Sequence, residues 1–573
     1  MKYFLSILFS IQSLLINAQQ PDLLNSHAKI IFNAKIFTGN KAQPYAEAVA
    51  IVGDKIIAVG TLIKVKKSAG PKAVLVDMDG RLILPGFIDS HTHSLWGGLE
   101  LMYANLYDSV RSVNEIAEYA RKVRDDKTGM VGNFLVIEGI NIGTWSLIKE
   151  LAGTFDSGEF ASLPVVLNGS DGHTHWGNNA VMKLAGLDRN FLHALPEDRR
   201  KYYGIDNGDE PNGFVADSGF VTYKTVIPGQ HWNWEKAGEK ALEYSHSYGI
   251  TAWLDPSLGD IKDSVNHLLD EYLYLVRHHQ LTAHIAAVVV ADADADPAMQ
   301  INVLKSLQAK YNTTKDFKII GFKIFADGVV EFPTQTAALS QPYSNTGNKG
   351  PLMFDAKKFG QFVTAADKSG LLVHVHAIGD RAVTETLNGF EIARHANGNS
   401  GISHTVTHLQ FVMPSDIPRF KKLGLLASVQ LMWALGDITT IDIVKPYVAP
   451  EIYKWQYPAR SLLNAGAVLC GASDWPVSSG NPFEAIYEAE TRKGRLGVLD
   501  STQCVPRVDM LYAYTINAAK SLQMEKYIGS IAPGKSADMI LVDRDVLLVS
   551  PEVMHNTKVL WTMFKGKVVY KKN

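Results

Sequence analysis

The stretch LILPGFIDSHTHSLWGG, residues 82–98, decides how the chain is read. An apolar run ending in Pro85–Gly86 leads into Phe87–Ile88–Asp89, the pattern of a short buried strand. Side chains two residues apart on a strand point the same way. His91 and His93 therefore converge where such a strand ends, the edge at which barrel enzymes keep their chemistry. Two imidazoles so placed suit a divalent metal.

Histidine placement supports this reading. With 18 His in 573 residues, random placement would give about 0.6 His-x-His pairs. The chain has three, at His91/His93, His173/His175 and His374/His376.

The length fits an α/β barrel with additions. Hydrophobic residues make up 46% and charged residues 20%, as in a globular protein. The net charge is −2 and no long basic run occurs, so nothing points to nucleic acid. The start, MKYFLSILFSIQSLLINAQQP, has a positive Lys2, an apolar core and Ala18 before a cleavage point. It reads as a secretory signal peptide over 1–18, which implies export to the periplasm or the medium. No other apolar run is long enough to cross a membrane, so no stable insertion is expected after cleavage. Cys470 falls in a buried strand pattern, so free thiols are expected at Cys470 and Cys504 rather than a disulfide.

Residues 28–82 and 526–573 are rich in short strand patterns with Gly turns. They are expected to form one β-sandwich from both ends of the chain, as 19–82 and 526–573. The middle, 83–525, alternates helix and strand patterns, the signature of βα units. A helix opens at the capping box of Ser112 and Glu115. Strand patterns include NFLVIEGI, PVVLNGSDG, GITAWLDP, AHIAAVVV, IIGFKIFADG, LLVHVHAIGD, THLQF, LLASVQ and AVLCGASD. With the first strand these exceed the eight of a barrel. An inserted lobe over approximately 100–240 accounts for the excess.

Further chemistry falls at strand ends. Lys323 lies in an apolar strand, where desolvation disfavours its ammonium. A neutral amine can take up carbon dioxide as a carbamate able to bridge two metals; the plainer reading is an ion pair, with Asp327 the candidate. His376 ends one strand and His408 another. His374 and His404 read as supporting or core histidines. Asp474 ends AVLCGASDWP, as a ligand and acid/base or as a helix cap.

The ordered series SDGHTHWGNN (170–179), DEPNGF (209–214), FKIFADG (322–328), TQTAAL (334–339), HAIGDRAV (376–383), THLQF (407–411), RSLLNAGAVLCGASDWPV (460–477) and GSIAPGKSADMILVD (529–543) resembles the amidohydrolase superfamily. Within it, the chain is similar to the family 3 branch of N-substituted formamide deformylase and YtcJ-like hydrolases. The resemblance implies a distorted (β/α)8 TIM barrel joined to a β-sandwich. It implies two divalent ions, zinc being the first choice. His91, His93 and Asp474 would hold one and His376 and His408 the other, with carbamylated Lys323 bridging. It also implies a small-molecule substrate, with His173, Trp176 and Asn178 lining its pocket. Trp145 and Trp433 read either as a further apolar wall or as core.

A metal lowers the pKa of a bound water, and the resulting hydroxide would attack a carbonyl carbon. Asp474 would serve as base and then acid toward the leaving nitrogen. The activity so implied is hydrolysis of a non-peptide carbon–nitrogen bond, an amide or N-formyl or N-acyl amine. Cyclic amides, carbamates, esters or deamination are the alternatives on the same site, and a non-catalytic metal-binding scaffold the remote one. Three positions depart from the family's usual residues: Thr407 where Glu is common, Leu431 after Gln430, and the extra His175. The oligomeric state is left open, a homodimer being one option.

Overall fold

The computed structural model describes residues 28–228, 233–263 and 265–572, so the expected signal peptide lies outside the described residues. Eight strands form one sheet with neighbours in chain order: β1 Phe87–Asp89, β2 Ile250–Asp255, β3 His284–Val290, β4 Phe317–Phe325, β5 Leu372–Ala377, β6 Thr405–His408, β7 Leu426–Val429 and β8 Val468–Gly471. Every pairing is parallel. The sheet curls round until the N–H of Ser90 donates to the carbonyl of Gly471 at 3.0 Å, which brings β1 to β8. The result is a distorted (β/α)8 barrel.

The strand period sorts the barrel's side chains. Val373 and Val375 of β5, Phe322 and Ile324 of β4 and Val406 of β6 join the large core under the surrounding helices. Their neighbours point inward. Ile88, Ala252, Leu254, Ala286, Val288, Leu372, Leu426 and Cys470 make an apolar interior floor, plugged from below by Ala518, Ala519, Leu522 and Ile528. Above that floor, toward the strands' C-terminal ends, the inward positions become Lys323, His374, His376 and Ser428. Register sets Lys323 beside His374, and His376 beside Thr407. Polar groups buried in such a layer must find partners or ligands.

The composite β-sandwich has one sheet of residues 55–60, 48–52, 29–32 and 74–77 and a second of 567–571, 559–564, 539–542, 82–85, 35–37 and 45–46. Antiparallel pairing of Ile540 with Leu84 joins the two ends of the chain. Ile36, Val49, Ile51, Ile83, Met539 and Leu541 fill the space between the sheets.

Between β1 and β2 the chain builds the inserted lobe on a six-stranded sheet, ordered 203–206, 210–216, 174–177, 165–169, 134–140, 130–131. The strands of NFLVIEGI and PVVLNGSDG belong here and not to the barrel. Helix Val113–Asp125 covers one face through Ile116, Ala117, Ala120 and Val123. It opens with the reciprocal bonds of a capping box, Ser112 Oγ to the Glu115 N–H and Glu115 to the Ser112 N–H. A second core of Val136, Val166, Val181, Leu192, Val215 and Tyr223 fills the opposite face. Cys470 and Cys504 are both free.

Candidate metal centre

The strand ends of β1, β5, β6 and β8 bring histidines and one carboxylate together inside the barrel mouth. Nε2 of His91 lies 3.2 Å and Nε2 of His93 3.3 Å from Oδ1 of Asp474, on the loop after β8. Nδ1 of His408, the last residue of β6, lies 3.8 Å from Asp474 Oδ2. The His376 ring packs edge-on against His408 with centroids 4.4 Å apart. His91, His408 and Asp474 each offer a ligand atom within 4.8 Å of the others.

Backbone contacts hold this cluster. The Asp474 N–H donates to the His91 carbonyl and the His93 N–H to the Trp475 carbonyl, each at 2.8 Å. Asp89, buried at the end of β1, accepts from the N–H groups of His91 and Ser473, both at 3.1 Å. That carboxylate ties the His-x-His turn to the Asp474 loop, a role no spacing in the sequence signals. His408 and Asp474 both adopt left-handed backbone, with φ of 74° and 57°. Such conformations cost roughly 1–3 kcal/mol each and persist where surrounding structure over-determines them, often at functional sites.

Electrostatics keep the imidazoles available as neutral donors. Burial, with Lys323 adding to it, pushes His91 down to about 3 although Asp474 opposes the shift. Burial likewise holds His376 and His408 well below the usual histidine range. Asp474 is pulled below the usual carboxylate range, against burial, wherever His91, His93 or His408 carries or shares a proton, and above that range it stands as an anion beside neutral imidazoles. Lys323 is almost wholly enclosed, and burial brings its amine down to about 7 against the pull of Asp474. Its amine sits 4.7 Å from the Phe325 ring centroid. Asp327, the ion-pair candidate, is instead occupied by the N–H groups of Ile378, Gly379 and Ala338 at 2.8–3.0 Å.

The donor set fits a cation. Asp474 Oδ1 and His408 Nδ1 are buried without a hydrogen-bond partner, the nearest carboxylate oxygen to His408 Nδ1 being 3.8 Å away. Such atoms cost about 1–3 kcal/mol each unless something engages them. Neutral imidazole nitrogens beside a carboxylate suit a borderline divalent ion.

The expected pocket residues separate. His173 Nδ1 lies 2.7 Å from Asp217 Oδ1 with about a third of its side chain open. Burial opposes its charge, yet Asp217, with Asp171 and Asp474 adding their fields, raises it to about 9. It thus presents a cation within electrostatic reach of Asp474. Trp176 does not line a pocket: it is fully buried in the lobe core, its indole N–H donating to the Asn212 carbonyl at 3.0 Å. Asn178 is fully buried too. Its oxygen accepts from the N–H groups of Val165 and Val181, and its amide donates to the carbonyls of Phe155, Phe160 and Leu163. Both side chains are spent within the lobe and correct the expectation made for them. Trp145 is likewise lobe core, bonded to Thr174 Oγ1 at 2.7 Å. Trp433 stacks on His408, with centroids 5.7 Å apart and planes 13° from parallel.

The three departures also find places. Thr407 Oγ1 accepts from Gln430 Nε2 at 3.2 Å and donates to Ser428 Oγ at 3.4 Å. Leu431 is buried in the core under the helices. His175 stacks on Phe220 and pairs with Asn168 Oδ1 at 2.8 Å, within the lobe.

The amidohydrolase family matches residues 74–570, from the sandwich through the barrel to the last strand. The chain belongs to the amidohydrolase family. This amidohydrolase is 28% identical over 543 residues to Protein LONG AFTER FAR-RED 3 of Arabidopsis thaliana, which covers 90% of this chain and is itself covered to 86%. It is 23% identical over 561 residues to N-substituted formamide deformylase of Arthrobacter pascens, at 95% of this chain and 98% of that one. A solved metal-dependent hydrolase from Pyrococcus horikoshii OT3 shares the fold, with a TM-score of 0.67 at 24% identity over 92% of this chain and 99% of the other. Membership makes the chain an enzyme, a hydrolase of carbon–nitrogen bonds, and implies a divalent metal.

Proposed function

We propose that this amidohydrolase cleaves the carbon–nitrogen bond of an N-formyl or N-acyl amine of a small molecule, with two divalent cations of the zinc type. His91, His93 and Asp474 would hold one, His376 and His408 the other, and a carbamate on Lys323 would bridge them. The observation that carries the reading is the gathering of neutral imidazoles and an unpartnered carboxylate oxygen at the mouth of the barrel. The enclosed Lys323 amine, with Asp327 engaged elsewhere, suits carbamate formation, in which the amine adds to carbon dioxide and releases a proton.

Bound cations supply Lewis acidity, which makes water more acidic and polarises a carbonyl oxygen. The chain's own groups do the rest. Asp474 accepts the proton of the attacking water and returns it to the leaving nitrogen, the base-then-acid role of a buried anion. His173, kept protonated by Asp217, donates to a substrate oxygen. Trp433 offers an apolar face beside His408. The amide-bond reading draws on the likeness to N-substituted formamide deformylase over almost the whole chain. The apolar start with Lys2 and Ala18 supports export to the periplasm or the medium.

A screen of N-formyl and N-acyl amines, with metal analysis on the same protein, tests this. Release of formate or another carboxylate with the amine, by protein carrying divalent metal, is expected. Ammonia release from cyclic amidines, with amides untouched, would replace the reading by deamination.

A further inference from the structure

We propose that His374 is a positioning residue: it accepts a hydrogen bond from His91 and so fixes which nitrogen of His91 is free to bind a cation. The inference rests on the metal reading above and concerns a side chain outside the proposed ligand set.

His374 lies two residues before His376 on β5, one step deeper in the barrel and beside Lys323 of β4. Its Nε2 is 2.7 Å from Nδ1 of His91, with ring centroids 4.9 Å apart and planes tilted by 35°. Both residues are fully enclosed. The other nitrogen of His91, Nε2, faces Asp474 Oδ1 at 3.2 Å, and Nδ1 of His374 has no hydrogen-bond partner. The two rings form a chain of nitrogens running from the barrel interior to Asp474.

A neutral imidazole carries one ring proton. The Nε2 of His91 faces Asp474 and the other donors, so it can offer a lone pair there only if the proton sits on Nδ1. That proton then points at His374, whose Nε2 must accept it. His374 must in turn carry its own proton on Nδ1, the atom without a partner. Ligating histidines commonly donate their second N–H to a carboxylate, a carbonyl or water, and loss of that partner typically costs 10–100-fold in metal affinity. Here an imidazole fills that place. The reverse arrangement, with His374 donating to His91 and His91 pointing its Nε2–H at Asp474, would block the lone pair.

The test is a competition titration of metal-free protein with Zn2+ against a chelator, repeated on His374→Leu and His374→Gln. Thermal melts of the metal-free variants keep folding separate from binding. His374→Leu fills similar volume without an acceptor and is expected to bind the first cation about 10–100-fold more weakly. His374→Gln keeps an acceptor oxygen and is expected to recover part of that loss. If His374→Leu does not fold, His374→Met is read in its place. Unchanged affinity in the apolar variant, or equal loss in the apolar and Gln variants, would overturn the role of His374 alone. Wild-type protein that takes up no cation would overturn the metal reading and this inference with it.

Discussion

Replacing His284 should loosen the joint between barrel and sandwich, in a way that depends on pH. His284 opens β3 and is fully buried. Its Nε2 donates to Asp538 Oδ2 at 3.0 Å, and Asp538 stands at the start of the sandwich strand Met539–Val542. Its Nδ1 faces Asp316 Oδ1 at 2.8 Å, an ion-pair contact off the line of a hydrogen bond. Asp316 also takes the Lys565 ammonium at 2.8 Å, and Asp538 accepts from Ser536 Oγ and the Lys565 N–H. Burial works against a charged imidazole, but the two carboxylates outweigh it and raise His284 above its ordinary value.

His284→Ala leaves Asp538 and Asp316 facing each other across a cavity. Breaking a buried pair from one side costs about 3–5 kcal/mol. Lys565 still neutralises Asp316, so the low end, about 3 kcal/mol, is expected. At roughly 2 °C per kcal/mol for a large domain this is a drop of about 6 °C in apparent Tm. The sign in pH follows from the raised folded-state pKa. The stabilisation by charge is fully present below the unfolded value of about 6.5 and is lost as pH rises through the higher folded value. Thermal scans of wild type and variant at about pH 6 and pH 9 should therefore show a gap that narrows on the alkaline side. A gap that widens toward pH 9, or no gap near pH 6, would refute the argument.

Asn178→Ala should destabilise the lobe by about 1–3 kcal/mol through unsatisfied backbone groups. Faster hydrogen exchange over residues 155–181 would register it, whereas a raised KM with unchanged exchange would return Asn178 to the pocket. Asp474→Asn should lower kcat by at least about 100-fold, the smaller end of acid–base contributions. Metal analysis of that variant should still find at least one ion.

The barrel was legible because its strands alternate strictly. Val373 and Val375 face the helices while His374 and His376 face inward, as the period of two requires. His91 and His93 lie past the end of β1, so the bend after Asp89 and not the strand period brings them together, while the surplus of strand patterns marks the lobe. Trp176 and Asn178 were misread because a motif gives residue types and not the direction in which a lobe strand turns them. Asn178 is a helix cap whose five bonds close a turn of its own lobe. The brace at Asp89 and the contact between His374 and His91 join segments about 380 and 280 residues apart, and no local pattern announces such pairings.

The proposed chemistry depends on cations gathering around Lys323 and the barrel-mouth histidines. Metal content and turnover of wild type and Lys323→Ala, measured side by side in bicarbonate-equilibrated buffer, decide whether they do. Two divalent ions per wild-type chain are expected, with loss of metal and activity in Lys323→Ala and partial rescue by a small carboxylic acid. A Lys323→Ala protein that keeps both ions and full activity would contradict the account.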